Sequence, residues 1–157
     1  MNKRIYLDNN ATAPIDPRVA LALTEAMQEP LGNPSSPHYF GQRAKGILSE
    51  ARQNIAHFFR AKQSQIIFTS GGSEGAKLAI VGLLKDPKNA HILSSNIEHA
   101  CVFETLEALK QEGAEVEFLE AKERGAVEPI ELESAIRPTT KMIVLMAVNN
   151  ETGVKCD

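Results

Sequence analysis

The sequence predicts an α/β fold built on a largely parallel sheet. Three observations carry this. Strand-like and helix-like stretches alternate along the chain. Residues 142–148 form a continuous apolar run, the pattern of a strand covered on both faces. The glycine-rich and polar patches each follow a strand pattern, and open α/β sheets bind ligands beyond the carboxyl ends of their strands.

The elements follow in order. Asp16-Pro17 pairs a helix cap with proline at the first helical position. Val19, Ala22, Leu23, Ala26 and Met27 then repeat at helical spacing. Pro30, Gly32, Asn33, Pro34, Ser35, Ser36 and Pro37 make a loop by composition. A second helix is predicted over about 41–59. Its apolar face is Ala44, Ile47, Leu48, Ala51, Ile55 and Phe58. Residues 65–69 read as a buried strand. Ser70-Gly71-Gly72 turns the chain into a helix ending near Leu84, closed by Asp86-Pro87. Ile92-Leu93-Ser94 is a short strand. The next helix starts near Glu98-His99, carries Val102, Leu106 and Leu109 on one face, and ends at Gly113. Residues 115–119 begin with strand-like alternation. Pro129 opens a short helix with Ile130 and Ile136 expected inward. Residues 142–148 give the last strand.

Composition narrows the class of protein. A chain of 157 residues is one domain's worth and long enough for a real core. Apolar residues at 43% and charged residues at 24% are ordinary for a globular protein. The net charge of −3, with no basic block, speaks against nucleic-acid binding. No apolar run reaches the roughly 18 residues of a membrane span. The N-terminus lacks the apolar stretch of a signal peptide. Cys101 and Cys156 make no disulfide framework, which points to a reduced, cytoplasmic compartment.

Three patches could carry chemistry. At Ser70-Gly71-Gly72-Ser73 a strand feeds a glycine turn and the turn feeds a helix. Unpaired N–H groups and the positive end of the helix dipole then favour a phosphate. A tight turn with a serine cap explains the same residues. The dinucleotide fingerprint fails, because its first glycine would fall on Ser70, and the Walker spacing is one residue short. His99 opens a helix, where the dipole favours a neutral ring able to stack and to exchange protons. It could equally be a cap. Asn149-Asn150-Glu151 sits at the mouth of the most apolar strand, where amides can donate to a phenolate or carboxylate or simply form a turn. His99 and Cys101 lack the second ligand pair of a zinc site, so no metal is expected. Cys101 is expected in the core. His38 is a candidate contact, and His57 and His91 are expected at the surface.

These segments, in this order, resemble the cysteine desulfurase family of pyridoxal-phosphate enzymes, within the class V aminotransferase group. The match runs through Tyr6-Leu7-Asp8-Asn9-Asn10-Ala11-Thr12-Ala13-Pro14, Gly32-Asn33-Pro34-Ser35-Ser36-Pro37-His38, Thr69-Ser70-Gly71-Gly72-Ser73-Glu74, Glu98-His99 and Asn149-Asn150-Glu151-Thr152-Gly153. The resemblance implies a three-layer sandwich with a mainly parallel sheet, as in the large domain of fold type I pyridoxal-phosphate enzymes, here truncated. Residues 1–40 would be an N-terminal segment and 41–157 a partial cofactor-binding large domain. Gly72 and Ser73 would hold the phosphate of pyridoxal 5'-phosphate. His99 would stack on its ring and assist proton transfer. Asn150 would face its phenolic oxygen and the substrate carboxylate.

The family reaction takes sulfur from L-cysteine, leaving alanine and an enzyme persulfide that passes to a sulfur acceptor protein, as in iron–sulfur cluster assembly. Family members are homodimers and more than twice as long. The Schiff-base lysine, the acidic partner of the pyridine nitrogen and the persulfide cysteine are expected beyond Asp157. Lys77 and Lys85 lie in the wrong place for the first role, and Cys156 for the last. The resemblance therefore implies a piece that is inactive alone and needs a downstream half. A selenocysteine lyase is the alternative within the group. A sheet ending with the 142–148 strand would leave an apolar open edge prone to self-association.

Overall fold

The computed structural model describes residues 4–84 and 86–156. The readings that fall on residues 1–3 and on Lys85 lie outside these. The chain divides into two compact units, residues 1–68 and 69–157.

In the first unit the Tyr6 hydroxyl reaches the carbonyls of Asp8 and Thr12, at 2.7 and 3.1 Å. Helix α1 spans Pro17–Gln28. The Asp16 carboxylate accepts the Arg18 N–H at 2.8 Å and pairs with its guanidinium. That pairing holds the Asp16 carboxyl below the usual carboxylate range. No residue of α1 is buried. The expected loop at 30–37 is present, and Asn33 organises it by accepting the Ser35 N–H at 2.9 Å.

Helix α2, Tyr39–Phe58, starts two residues earlier than its pattern suggests because His38 caps it. The His38 Nδ1 accepts the Gly41 N–H at 3.4 Å, a structural task for this loop histidine. Gly41 is fixed by close approach. A Cβ there would lie 2.4 Å from the Ser36 carbonyl oxygen and 2.7 Å from that of Asn33. Gly41, Ala44 and Ala56 are the buried positions of α2, while Ile47, Leu48, Ile55 and Phe58 are exposed. His57 is exposed as expected.

The strand expected at 65–69 does not form. Gln63–Gln65 is a single 3-10 turn, and Ile67 and Phe68 are exposed. A strand is made by its neighbour. Residues 66–68 have no ladder partner among the described residues. The Ile66 carbonyl instead accepts the Arg52 Nε–H at 3.4 Å, with the guanidinium 4.9 Å above the Phe68 ring.

The second unit carries the sheet. Its elements are α3 (Gly72–Leu83), β1 (His91–Ser95), α4 (Ala100–Gln111), β2 (Glu115–Leu119), α5 (Pro129–Ala135) and β3 (Thr140–Val144). All strands are parallel, in the order β2-β1-β3. Right-handed crossovers that leave β1 for β2 and then return past it to β3 place their helices on opposite faces. The packing agrees. On one face Ile80 of α3 and Leu106 and Leu109 of α4 cover Ile92 and Val116, with Phe118, Met142 and Val144 alongside. Across the sheet, Ile130 and Ser134 of α5 share a hollow with Glu117 and Leu119. Ile92, Leu93 and Leu106 are fully buried, each contributing about 1.5–3 kcal/mol of transfer free energy. Helix α4 ends as expected at Gly113, whose φ of 104° suits glycine.

Three further expectations need correction in the second unit. The last strand runs over Thr140–Val144 rather than 142–148. Its burial alternates, because Met142 and Val144 pack on the core face while Ile143, on the other face, is exposed. Ile130 and Ile136 are 67% and 50% exposed, not inward. His91 is buried rather than at the surface. It opens the central strand, every residue of which is covered. Its Nδ1 lies 2.8 Å from the Thr140 Oγ1 and its Nε2 3.4 Å from the Glu117 carboxylate, which Arg137 also pairs.

Candidate functional site

The strand order creates the site. The chain leaves β1 toward β2 on one side, while β3 lies on the other side of β1. The segments after β1 and β3 leave these adjacent strands at the same end of the sheet. Such a switch point, at the carboxyl ends of parallel strands, is where open α/β sheets form a ligand crevice. The segment after β1 carries Glu98 and His99. The segment after β3 carries Asn149 and Asn150.

Glu98 and Asn149 tie the two segments together. One Glu98 oxygen, Oε1, accepts from the Ser95 hydroxyl and from the Met146 N–H, both at 2.8 Å. The Asn149 Nδ2 donates to the Ile97 carbonyl at 3.2 Å. The Asn149 Oδ1 accepts the N–H groups of Glu151 and Thr152 at 2.9 Å each, and the Thr152 hydroxyl at 3.2 Å. A Val148–Lys155 antiparallel bridge and Gly153, at φ 74°, close this small hairpin. The adjacent amides thus divide their work: Asn149 is 8% exposed and holds the turn, while Asn150 stands exposed at its tip.

His99 caps α4. Its Nδ1 accepts the Cys101 N–H at 3.2 Å and lies 3.0 Å from the Cys101 Sγ. Accepting at Nδ1 makes Nε2 the proton-bearing atom of the neutral ring. The ring is exposed. Cys101 is half-buried, so it belongs to the rim rather than the core where the sequence put it.

The glycine turn presents the start of α3. Gly71 is its N-cap and offers no side-chain acceptor, so the first-turn amides of Gly72 and Ser73 have no cap. Nothing lies within 4 Å of a Cβ built on Gly71 or Gly72, so the backbone is open to an approaching group. The Glu74 carboxylate takes the Ser70 N–H, and the Ser70 backbone and hydroxyl hold it below the usual glutamate range. Ser73 and Cys101 line one cleft of about 350 Å³ between α3 and α4, with Lys77 and Glu104. The turn and the start of α4 are therefore neighbours.

Of the residues singled out in the sequence, Gly72, Ser73, His99 and Asn150 all occupy loop ends or helix starts with exposed positions. In the sequence Asn149 stands in the turn patch undistinguished from Asn150, and Ser95 and Met146 carry no signal of their own. Their roles depend on which strands are adjacent, and spacing does not encode that. Among the described residues there is no cluster of three metal-ligating side chains and no helix long and apolar enough to cross a membrane.

A parallel α/β sheet with a glycine turn and a switch-point crevice defines a group-binding α/β protein. Comparison with known proteins makes this specific. Residues 5–157 match the class-V aminotransferase family, and the chain belongs to that family. It is 39% identical over 151 residues to cysteine desulfurase 2 of Trichormus variabilis, covering 96% of this chain and 38% of that protein. It is 37% identical over 174 residues to a selenocysteine lyase of Bos taurus, covering 98% and 40%. Among solved structures, a NifS-like protein superposes with a TM-score of 0.92 at 32% identity, covering 98% of this chain and 43% of that one. The chain thus spans about two fifths of the length of the relatives it matches.

Proposed function

We propose that this chain is the N-terminal part of a pyridoxal 5'-phosphate-dependent cysteine desulfurase, taking sulfur from L-cysteine. The observation that carries the reading is the open start of α3 beside the switch-point crevice, where its uncapped amides and bare glycines suit a phosphate dianion. Gly72 and Ser73 would hold that phosphate. His99, exposed and accepting the Cys101 N–H at Nδ1, would stack on the ring and carry a proton at Nε2. Asn150 would donate from its amide to the phenolic oxygen and to the substrate carboxylate. When bound, the cofactor supplies the electron sink for carbanion chemistry, and these residues bind and orient it.

The lysine, the acidic pyridine partner and the persulfide cysteine would come from sequence outside these 157 residues, in a second half of the protein. On this reading residues 1–40 are an N-terminal segment and 41–157 part of the cofactor domain of a homodimer. A sulfur acceptor protein would take the persulfide sulfur, in iron–sulfur cluster assembly, and a cytoplasmic setting fits the two free thiols. Selenocysteine lyase activity is the second reading, favoured by an identity of 37% to the bovine lyase against 39% to the desulfurase.

The test is an absorbance titration with pyridoxal phosphate, followed by borohydride reduction and peptide mapping. The expected result is reversible uptake with no adduct fixed on a single lysine. Ser73→Asp, which sets a negative charge against the phosphate, is expected to weaken uptake by about tenfold or more. His99→Ala is expected to weaken it less. Uptake unchanged in both variants would overturn the reading, and a specific lysine adduct would overturn the assignment of that lysine to a second half.

A further inference from the structure

We propose that Glu98 is the positioning residue that sets the width of the crevice between the His99 and Asn150 segments. The proposal rests on the reading that this crevice receives the cofactor. The β1–β3 ladder reaches Ser94 and Val144, and the Ser94 hydroxyl closes it by donating to the Val144 carbonyl at 2.9 Å. The pairing ends at that rung, and Met146 beyond it is half-buried, so its amide needs another partner. Glu98 supplies one. Its Oε1 takes the Met146 N–H at 2.8 Å from the β3 side and the Ser95 hydroxyl at 2.8 Å from the β1 side.

A side chain thus continues the ladder where the main chain cannot. It does so from the position next to His99, while Met146 leads into the Asn149 hairpin. The Asn149 Nδ2 bond to the Ile97 carbonyl is the second strut of the same bridge. Glu98 therefore ties the segment that carries His99 to the segment that carries Asn150. Because both bonds end on one oxygen, the carbonyl of a glutamine can replace it. The shorter arm of aspartate cannot span both donors, and alanine reaches neither.

The experiment is amide hydrogen exchange of the 157-residue chain, read by NMR, with a parallel pyridoxal phosphate titration. In Glu98→Ala the Met146 amide is expected to exchange about tenfold faster or more. The His99 ring and Asn150 side-chain resonances should shift, and cofactor uptake should weaken about fivefold, the value of one lost hydrogen bond. Glu98→Gln is expected to stay within about twofold of the parent in every readout. Unchanged protection of Met146 in the alanine variant would overturn the proposal. So would a glutamine variant as damaged as the alanine one, since charge and not bridging would then be the cause. If Glu98→Ala fails to fold, the contrast between glutamine and aspartate decides. If the parent chain takes up no cofactor, the functional reading fails while Met146 exchange still tests the bridge.

Discussion

Helices α1 and α4 have the same length, 12 residues, and opposite surroundings. Each starts with a side chain that accepts a first-turn N–H, Asp16 in one and His99 in the other. Each has an apolar stripe. Yet α4 buries Thr105, Leu106 and Leu109, and α1 buries nothing. The comparison separates what makes a helix from what makes a core. Caps and spacing write the helix locally, while burial is conferred by a neighbouring layer. Only α4 has one among the described residues, in α3, β1 and β2.

The sharpest way to break this comparison is truncation at matched positions. Leu106→Ala is expected to cost about 2–5 kcal/mol, because it opens a cavity among packed neighbours. Leu23→Ala, on the exposed stripe of α1, should stay within about 0.5 kcal/mol. Urea midpoints of the two variants give the answer, and equal losses would mean that α1 is covered in solution.

A smaller effect tests the same distinction within one dipeptide. Asn149→Ala removes a buried amide from four hydrogen bonds in the hairpin and its Ile97 strut. It should cost about 1–3 kcal/mol. Asn150→Ala, at an exposed position, should cost less than Asn149→Ala and should also reduce cofactor uptake. A stability loss at Asn150 matching that at Asn149 would erase the division of labour.

The smallest expected effect is a pH response at the exposed turn. In the folded chain the Glu74 carboxyl is held low by Ser70. Its contribution is therefore complete above the ordinary glutamate value of about 4.3 and is lost as pH falls through the lowered folded value. Exchange of the Ser70 amide should accelerate over that acid range. Glu74→Gln should remove the pH dependence.

These contrasts also mark what the sequence disclosed. Asp16-Pro17, the glycine turn and Gly113 announced their helix boundaries because capping chemistry is local. The parallel α/β class followed from the alternation of strand and helix patterns, with the apolar run at 142–148 and the patches after strands beside it. Residues 65–69 were read as a strand because Ile66, Ile67 and Phe68 have strand-like side chains, but no partner forms a ladder with them. Ile130 and Ile136 pointed inward on the same logic and lie exposed. His91 was misplaced because a strand's position in the sheet decides its burial, and strand order is not written in spacing. The site was legible as types of residue: Gly72, Ser73, His99, Asn150. Its scaffolding was not, since Glu98, Ser95 and Met146 meet only after β3 crosses to the far side of β1.

Because β1, β2 and β3 point the same way, the turns that enter them gather at the opposite end of the sheet. These are Pro87–Asn89 and residues 112–114 and 137–139. A surface-attachment tag or fluorescent reporter placed on that rim would leave the crevice end facing solution. The fold offers a handle at one end and a working face at the other, so the chain can be immobilised for cofactor-binding measurements without touching a residue assigned to the site.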